Sequence, residues 1–149
     1  MPRLVRPRVV TPWLGILLAT LAGCQAKPAE DVLLPVAGKI TVDGRPLPKG
    51  WVMFYPDPDK GNNSPRIPYA EVGPDGSYAL ATNSKPGAPA GAYRVVVVAT
   101  VEPIPIRTPP EWRPTWLHAE KYAKQETTDL RIEVVESPSP GQYDLHLSR

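Results

Sequence analysis

The chain has 149 residues, of which 42% are hydrophobic, and it contains 21 prolines, two histidines and one cysteine. Its 17 lysines and arginines against 15 aspartates and glutamates give a formal charge of +2, which does not indicate a cationic face for nucleic acid. A single cysteine excludes an internal disulfide and a site built from several thiolates. The length suits one hydrophobic core and hence one domain.

Residues 1–23 have the pattern of an export signal. Three arginines precede an apolar stretch, residues 13–22, that is too short to cross a bilayer as a stable helix. The sequence Leu21-Ala22-Gly23-Cys24 resembles the lipobox of bacterial lipoproteins at all four positions. The resemblance implies cleavage before Cys24, a thioether from its sulfur to diacylglycerol, and acylation of the new amino group, for example by palmitate. An ordinary secreted protein with a free thiol and an uncleaved helical anchor are the alternatives.

Residues 24–34 predict a lipidated tether, since they are small and polar up to Asp31. As a flexible coil, about ten such residues span roughly 17 Å, which keeps the folded part close to the lipid. Beyond residue 23 the chain has 14 basic and 15 acidic residues, so the expected mature protein is near neutral and no nucleic-acid partner is expected. Gln25, rather than aspartate, follows Cys24, which favours the outer membrane. We expect a cell-envelope location on the extracytoplasmic side, with the membrane contacted through the lipid on Cys24.

From residue 35 onward the hydrophobic pattern has a period of two, which is typical of half-buried β-strands. About seven strands are predicted, with the clearest runs around residues 36–42, 51–55, 77–82, 92–101, 130–134 and 143–147. Residues 92–101 are almost all apolar and often β-branched, which predicts a central strand covered on both faces. Only residues 117–125 have a helix-like composition, enough for one or two turns.

Turn chemistry supports the same reading. Asp43-Gly44 and the run from Gly73 to Gly76 place glycine where positive φ is needed and aspartate where its side chain can bond the turn backbone. Tyr93, entering the central strand after Gly91, can bond back across the sandwich corner as a tyrosine corner does. The residues predict a single all-β domain over 35–149, an antiparallel β-sandwich.

Three segments in order resemble the carboxypeptidase regulatory-like, or transthyretin-like, domain family. They are Gly38-Lys39-Ile40-Thr41-Val42-Asp43-Gly44-Arg45-Pro46-Leu47, Gly73-Pro74-Asp75-Gly76-Ser77-Tyr78-Ala79-Leu80 and Gly91-Ala92-Tyr93-Arg94-Val95-Val96-Val97. The resemblance covers roughly residues 35–101. It implies a seven-stranded, prealbumin-like Greek-key sandwich with a noncatalytic role.

Candidate catalytic and metal-binding residues are few. The loop from Asp57 to Asn63 has alternating carboxylates, but it does not fit the spacing of a twelve-residue calcium loop and predicts an exposed polar turn. His146 falls on the solvent-facing alternation of the last strand, and His118 has no placed partner for a triad or a metal site. We therefore expect no catalytic residues, no metal and no cofactor.

One loop is a candidate binding site: residues Trp112, Arg113, Trp116 and His118 lie in a proline-stiffened segment. Two tryptophans around an arginine suit stacking on a sugar ring or anchoring a partner. The alternative is that Trp112 and Trp116 fold back to cover an open end of the sandwich.

The sequence predicts a lipid-anchored envelope protein whose noncatalytic β-sandwich serves protein interaction or envelope structure, with an envelope protein as the expected partner. The alternative is a module that binds carbohydrate or a small ligand through the Trp112/Trp116 loop. An enzyme of unknown class is a third, weaker reading.

Overall fold

The computed structural model describes residues 32–149, and the predicted signal peptide, Cys24 and most of the predicted tether lie outside the described residues. This part of the chain is all-β and contains no α-helix. Its strands are β1 Leu33–Leu34, β2 Ala37–Val42, β3 Arg45–Pro46, β4 Trp51–Pro56, β5 Tyr69–Glu71, β6 Ser77–Ala79, β7 Ala81–Thr82, β8 Lys85–Pro86, β9 Ala88–Pro89, β10 Gly91–Val98, β11 Arg131–Val134 and β12 Leu145–Leu147. Two short 3-10 helices, Pro58–Lys60 and Glu120–Ala123, complete the secondary structure, and the second lies in the predicted helical stretch.

The larger sheet has six antiparallel strands in the order β11-β10-β4-β5-β7-β8. Its two longest strands, β10 and β4, pair over six residues from Tyr93 opposite Pro56 to Val98 opposite Trp51. Both strands are rich in β-branched and aromatic residues, which fit a pleated, packed surface. The predicted central strand is therefore present, and it ends at Val98.

The smaller sheet is built around β2, which pairs with β3 and β6 in antiparallel fashion and with β12 in parallel. This parallel pair departs from the predicted purely antiparallel arrangement. A third, two-stranded sheet joins β1 to β9, with Leu33 opposite Pro89. The predicted tether extended to Leu34, but Leu33–Leu34 already belong to a strand.

The predicted strand over residues 77–82 divides at Leu80. Its first half, β6, pairs with β2 in the smaller sheet, and its second half, β7, pairs with β5 in the larger one. Leu80 is buried, its amide donates to Val36 and its carbonyl accepts from Gly87. The chain thus passes from one sheet to the other through a residue that keeps both backbone groups bonded.

A single core fills the space between the two main sheets. The larger sheet contributes Val52, Phe54, Tyr93, Val95 and Val97, all fully buried. The smaller sheet contributes Ile40, Val42, Tyr78, Leu145 and Leu147. The Phe54 ring lies 6.3 Å from that of Tyr78 across this space and 5.8 Å from that of Tyr93 in its own sheet. The arrangement is β-sandwich-like.

Candidate binding surface

The outer face of the larger sheet is unusually apolar. Directly paired residues share a face, so Trp51, Val98 and Glu71 form one row across the sheet, and Met53, Val96 and Tyr69 form the next. Because the core residues lie on the opposite face, these rows point away from the core. Val96 is buried but Val98 is only half-buried, so β10 is partly covered on this face, where the sequence predicts full cover.

Two adjoining grooves cross this face. The first has a volume of about 310 Å³ and is lined by Trp51, Met53, Tyr55, Ile67, Tyr69 and Val98. The second has a volume of about 410 Å³, shares Trp51 and Val98 with the first, and adds Ile104 among polar residues. We name the seven residues Trp51, Met53, Tyr55, Ile67, Tyr69, Val98 and Ile104 the Trp51 surface.

The exposed part of the Trp51 surface consists of large side chains. The exposed fractions are 46% for Trp51, 44% for Ile67, 43% for Tyr69 and 50% for Ile104. The Trp51 and Tyr69 rings lie 6.1 Å apart and are tilted by 44°. Contiguous exposed apolar side chains are typical of surfaces that contact a partner or a membrane, whereas single exposed apolar residues are common on any protein.

The second groove gives the Trp51 surface a polar border. Glu71 and Glu102 bring carboxylates to it, and Lys49 brings an ammonium whose Nζ donates to the carbonyl of Val101 at 2.6 Å. Glu71 stands opposite Trp51 in the ladder between β4 and β5. The surface therefore has an apolar centre and a charged edge.

The predicted binding loop lies beside the end of β10. The Val101 amide donates to Thr115 and the Leu117 amide to Ala99, so residues 115–117 run antiparallel to residues 99–101 around an isolated bridge between Thr100 and Trp116. Trp112 and Trp116 are both half-buried. The Arg113 guanidinium donates to the carbonyls of Pro110 and Trp112, both at 2.9 Å, and so braces its own loop.

His118 is buried in a small stack of rings. Its ring lies 5.8 Å from that of Trp116 in a stacked arrangement and 5.9 Å from that of Tyr122, edge to face. Nδ1 is 2.9 Å from the carbonyl of Ala119. Burial lowers the pKa of His118, because the charged form loses its hydration. The structure thus brings Trp116 and His118 together as packing partners.

The loop after β4 is exposed from Pro58 to Gly61, as the sequence predicts, but it begins with a buried carboxylate. Asp57 is buried, and its carboxylate lies 3.1 Å from the Arg94 guanidinium, which also pairs with Asp59. The hydrogen bond from Arg94 lowers the pKa of Asp57. Within residues 32–149 no group of three or more histidine, cysteine, aspartate or glutamate side chains is placed to hold a metal ion. The loop carboxylates instead tie the end of β4 to β10.

The remaining predicted residues are His146 and Cys24. His146 is exposed between the buried Leu145 and Leu147, as the alternation predicts, and its Nδ1 lies 2.9 Å from Thr41 Oγ1. Cys24 lies outside the described residues. Across residues 32–149, no helix is long and apolar enough to span a membrane.

Sequence reasoning did not single out Trp51 and Tyr69. A signal was present in β4, where Val52 and Phe54 alternate with Trp51, Met53 and Tyr55, so that both phases of the strand are apolar. A strand with one solvated face carries polar residues in one phase. Two apolar phases at residues 51–55 therefore indicate a second contact surface.

No family model, no curated protein and no solved structure matches this chain in comparisons with known proteins. The resemblance to carboxypeptidase regulatory-like domains therefore stays a prediction from the quoted segments.

Proposed function

We propose that this protein is a lipid-anchored, noncatalytic module of the bacterial cell envelope that serves protein interaction or envelope structure. In this proposal Cys24 carries the lipid, the domain lies on the extracytoplasmic side, with the outer membrane favoured, and the fold is a Greek-key sandwich of the carboxypeptidase regulatory-like type. The lipobox supports the anchor, and the three resembling segments support the family.

The observation that carries the proposed role is the Trp51 surface. Its exposed side chains are Trp, Tyr and Ile, and aromatic side chains are enriched at contact surfaces because they bury large areas at low entropic cost. The domain already has a complete core on the other face of the same sheet. These apolar residues are therefore available to another component of the envelope.

A photo-crosslinking amino acid at Tyr69 in intact cells tests this role. We expect adducts from Tyr69 and none from the same amino acid at Arg45, which is exposed on β3 of the smaller sheet. Protein adducts would support an interaction role and lipid adducts a structural one. Equal, background-level yields at the two positions would contradict the proposal.

The carbohydrate alternative depends on the loop residues Trp112 and Trp116. Soluble glycans should quench tryptophan fluorescence if these rings stack on sugars. Trp116 already stacks on His118, so this contact favours a packing role for that ring. We therefore place the contact surface at Trp51 rather than at the loop.

A further inference from the structure

Exposed apolar side chains are concentrated at the Trp51 surface. In the part of the chain that the structure describes, the large exposed ones are Val32, Trp51, Ile67, Tyr69, Val101, Ile104 and Ile106. Four of these line the two grooves that share Trp51. Val101 and Ile106 belong to the same connection as Ile104. Six of the seven exposed side chains therefore belong to the Trp51 surface or to the connection that carries Ile104.

The same region lies near the place where the described chain begins. Tyr69 pairs with Ala81, and Ala81 pairs with Pro86, so Tyr69 and Pro86 are two strand spacings apart, about 10 Å. The next residue, Gly87, packs so closely that an added Cβ would lie 2.5 Å from the Leu34 carbonyl oxygen. The chain therefore enters the domain at the β8 edge of the sheet that bears the Trp51 surface.

The chain between Cys24 and this entry point is short. From Cys24 to Val32 there are eight residue steps, which span at most about 28 Å when fully extended and roughly 16 Å as a flexible coil. If Cys24 is anchored, the edge of the larger sheet stays within that distance of the lipid. A weak apolar contact is then sufficient, since the tether keeps the effective concentration of the bilayer high.

We propose that the component facing the Trp51 surface is the bilayer itself, so that the domain lies against the membrane to which Cys24 attaches it. This inference rests on the proposed function. Trp51 and Tyr69 occupy the interfacial layer, where amphipathic aromatic rings are favoured, and Ile67 and Ile104 face the acyl chains.

The charged border limits which lipids fit. Glu71 and Glu102 outnumber Lys49 in the groove beside Trp51, so this edge is repelled by anionic headgroups. The contact is therefore stronger on zwitterionic than on anionic bilayers.

The test uses the full lipidated protein in phosphatidylcholine vesicles that contain brominated acyl chains, which quench tryptophan on contact. The double variant Trp112→Phe/Trp116→Phe leaves Trp51 as the single tryptophan between Cys24 and Arg149, and Trp51→Phe is the matched control. We expect at least twofold stronger quenching in the double variant, and weaker quenching when anionic lipid replaces half of the phosphatidylcholine. Equal quenching in the two variants, or none of Trp51, would overturn the inference.

A second variant adds Ile67→Glu to the double variant, so that Trp51 stays the single tryptophan and a charge is placed on the exposed face. It should reduce the quenching of Trp51 while leaving the melting temperature unchanged, because Ile67 is 44% exposed. Unchanged quenching in this variant also counts against bilayer contact.

The mass of the Cys24 peptide and vesicle flotation, measured on the same sample, separate the two proposals. A lipidated, floating protein with unquenched Trp51 overturns bilayer contact and leaves the anchor intact, whether the surface then binds a protein, a glycan or a second copy. An unmodified Cys24 removes the anchor, and the bilayer contact is then rejected with it.

Discussion

At the scale of single residues, the buried tyrosines show how polar groups are accommodated in this core. The Tyr93 hydroxyl donates to the Pro89 carbonyl at 2.8 Å, and the Tyr78 hydroxyl donates to the Tyr143 carbonyl at 2.5 Å. Each ring packs in the apolar interior while its oxygen satisfies a backbone acceptor. The bond from Tyr93 to a residue four positions upstream confirms the tyrosine corner predicted from Gly91-Ala92-Tyr93.

His118 gives the stability of the domain a pH dependence. Its pKa in the folded protein is below the ordinary value of 6.5, so the unfolded chain takes up a proton first as the pH falls. The contribution of the neutral ring is complete above about pH 6.5 and is lost as the pH falls below that value, by at most about 1.4 kcal/mol per pH unit.

Urea unfolding at several pH values between 7.5 and 5 measures this effect. His118→Gln should flatten the pH dependence of the free energy of unfolding. The same slope in the wild type and His118→Gln would contradict the assignment.

At the scale of elements, the close approach of β2 to the turn before β12 depends on a missing side chain. Gly38 in β2 pairs with Tyr78 in β6, and a Cβ at Gly38 would collide with the Tyr143 carbonyl that accepts the Tyr78 hydroxyl. The backbone cannot move without breaking that bond. Glycine at position 38 is therefore a packing requirement.

Gly38→Ala should lower the free energy of unfolding by about 1 to 3 kcal/mol or more, the usual cost of overpacking. Gly44→Ala is the control, because a Cβ at Gly44 meets nothing within 4 Å and only its φ of +77° is unfavourable. Chemical denaturation compares the two. A cost at Gly38 no larger than at Gly44 would show that β2 and residue 143 are not this close.

The Trp112/Trp116 loop permits a similar comparison. Since the Trp116 ring stacks on His118, we expect Trp116→Ala to cost about 2 kcal/mol, roughly half of a fully buried tryptophan truncation. Trp112→Ala should cost less, because the bonds of Trp112 to Pro109 and Arg113 are made by its backbone, which alanine keeps. Thermal melting of both variants checks this, and a melting temperature unaltered by Trp116→Ala would restore the loop as a free binding surface.

The sequence predicts a tight turn only where aspartate and glycine occur together at its centre. Asp43-Gly44 predicts a tight hairpin, and both residues have positive φ, 50° and 77°, between β2 and β3. The hairpin between β7 and β8 uses Asn83 and Ser84, with φ of 49° and 65°. Neither residue is a glycine, so the sequence pattern does not predict a hairpin at this position.

At the scale of the whole molecule, local patterns predict strands but not their partners. The alternation runs through Leu80 without interruption, so residues 77–82 look like one strand, although the two halves belong to different sheets. The parallel pairing of β12 with β2 likewise depends on contacts across 105 residues of sequence. Period-two patterning fixes which residues face inward, and long-range packing decides the rest.

The candidate surface shows the same division. The apolar side chains at Trp51, Met53 and Tyr55 can be read from the sequence. That they lie beside Ile67, Tyr69 and Ile104 follows only from the pairing of the strands and the position of the adjoining loops. Conversely, the Trp112-to-His118 segment looks like a binding site because its residue types are unusual. Folding places its His118 inside the domain, where that ring contributes to packing.

Mass spectrometry of the mature protein's N-terminal peptide tests the central claim, the lipid anchor, most directly. The account predicts a chain that begins at Cys24 and carries a diacylglycerol thioether with an acylated amino group, and it predicts an uncleaved or mislocalised precursor for Cys24→Ser. A mature chain that begins at another residue, or an unmodified Cys24, would contradict it.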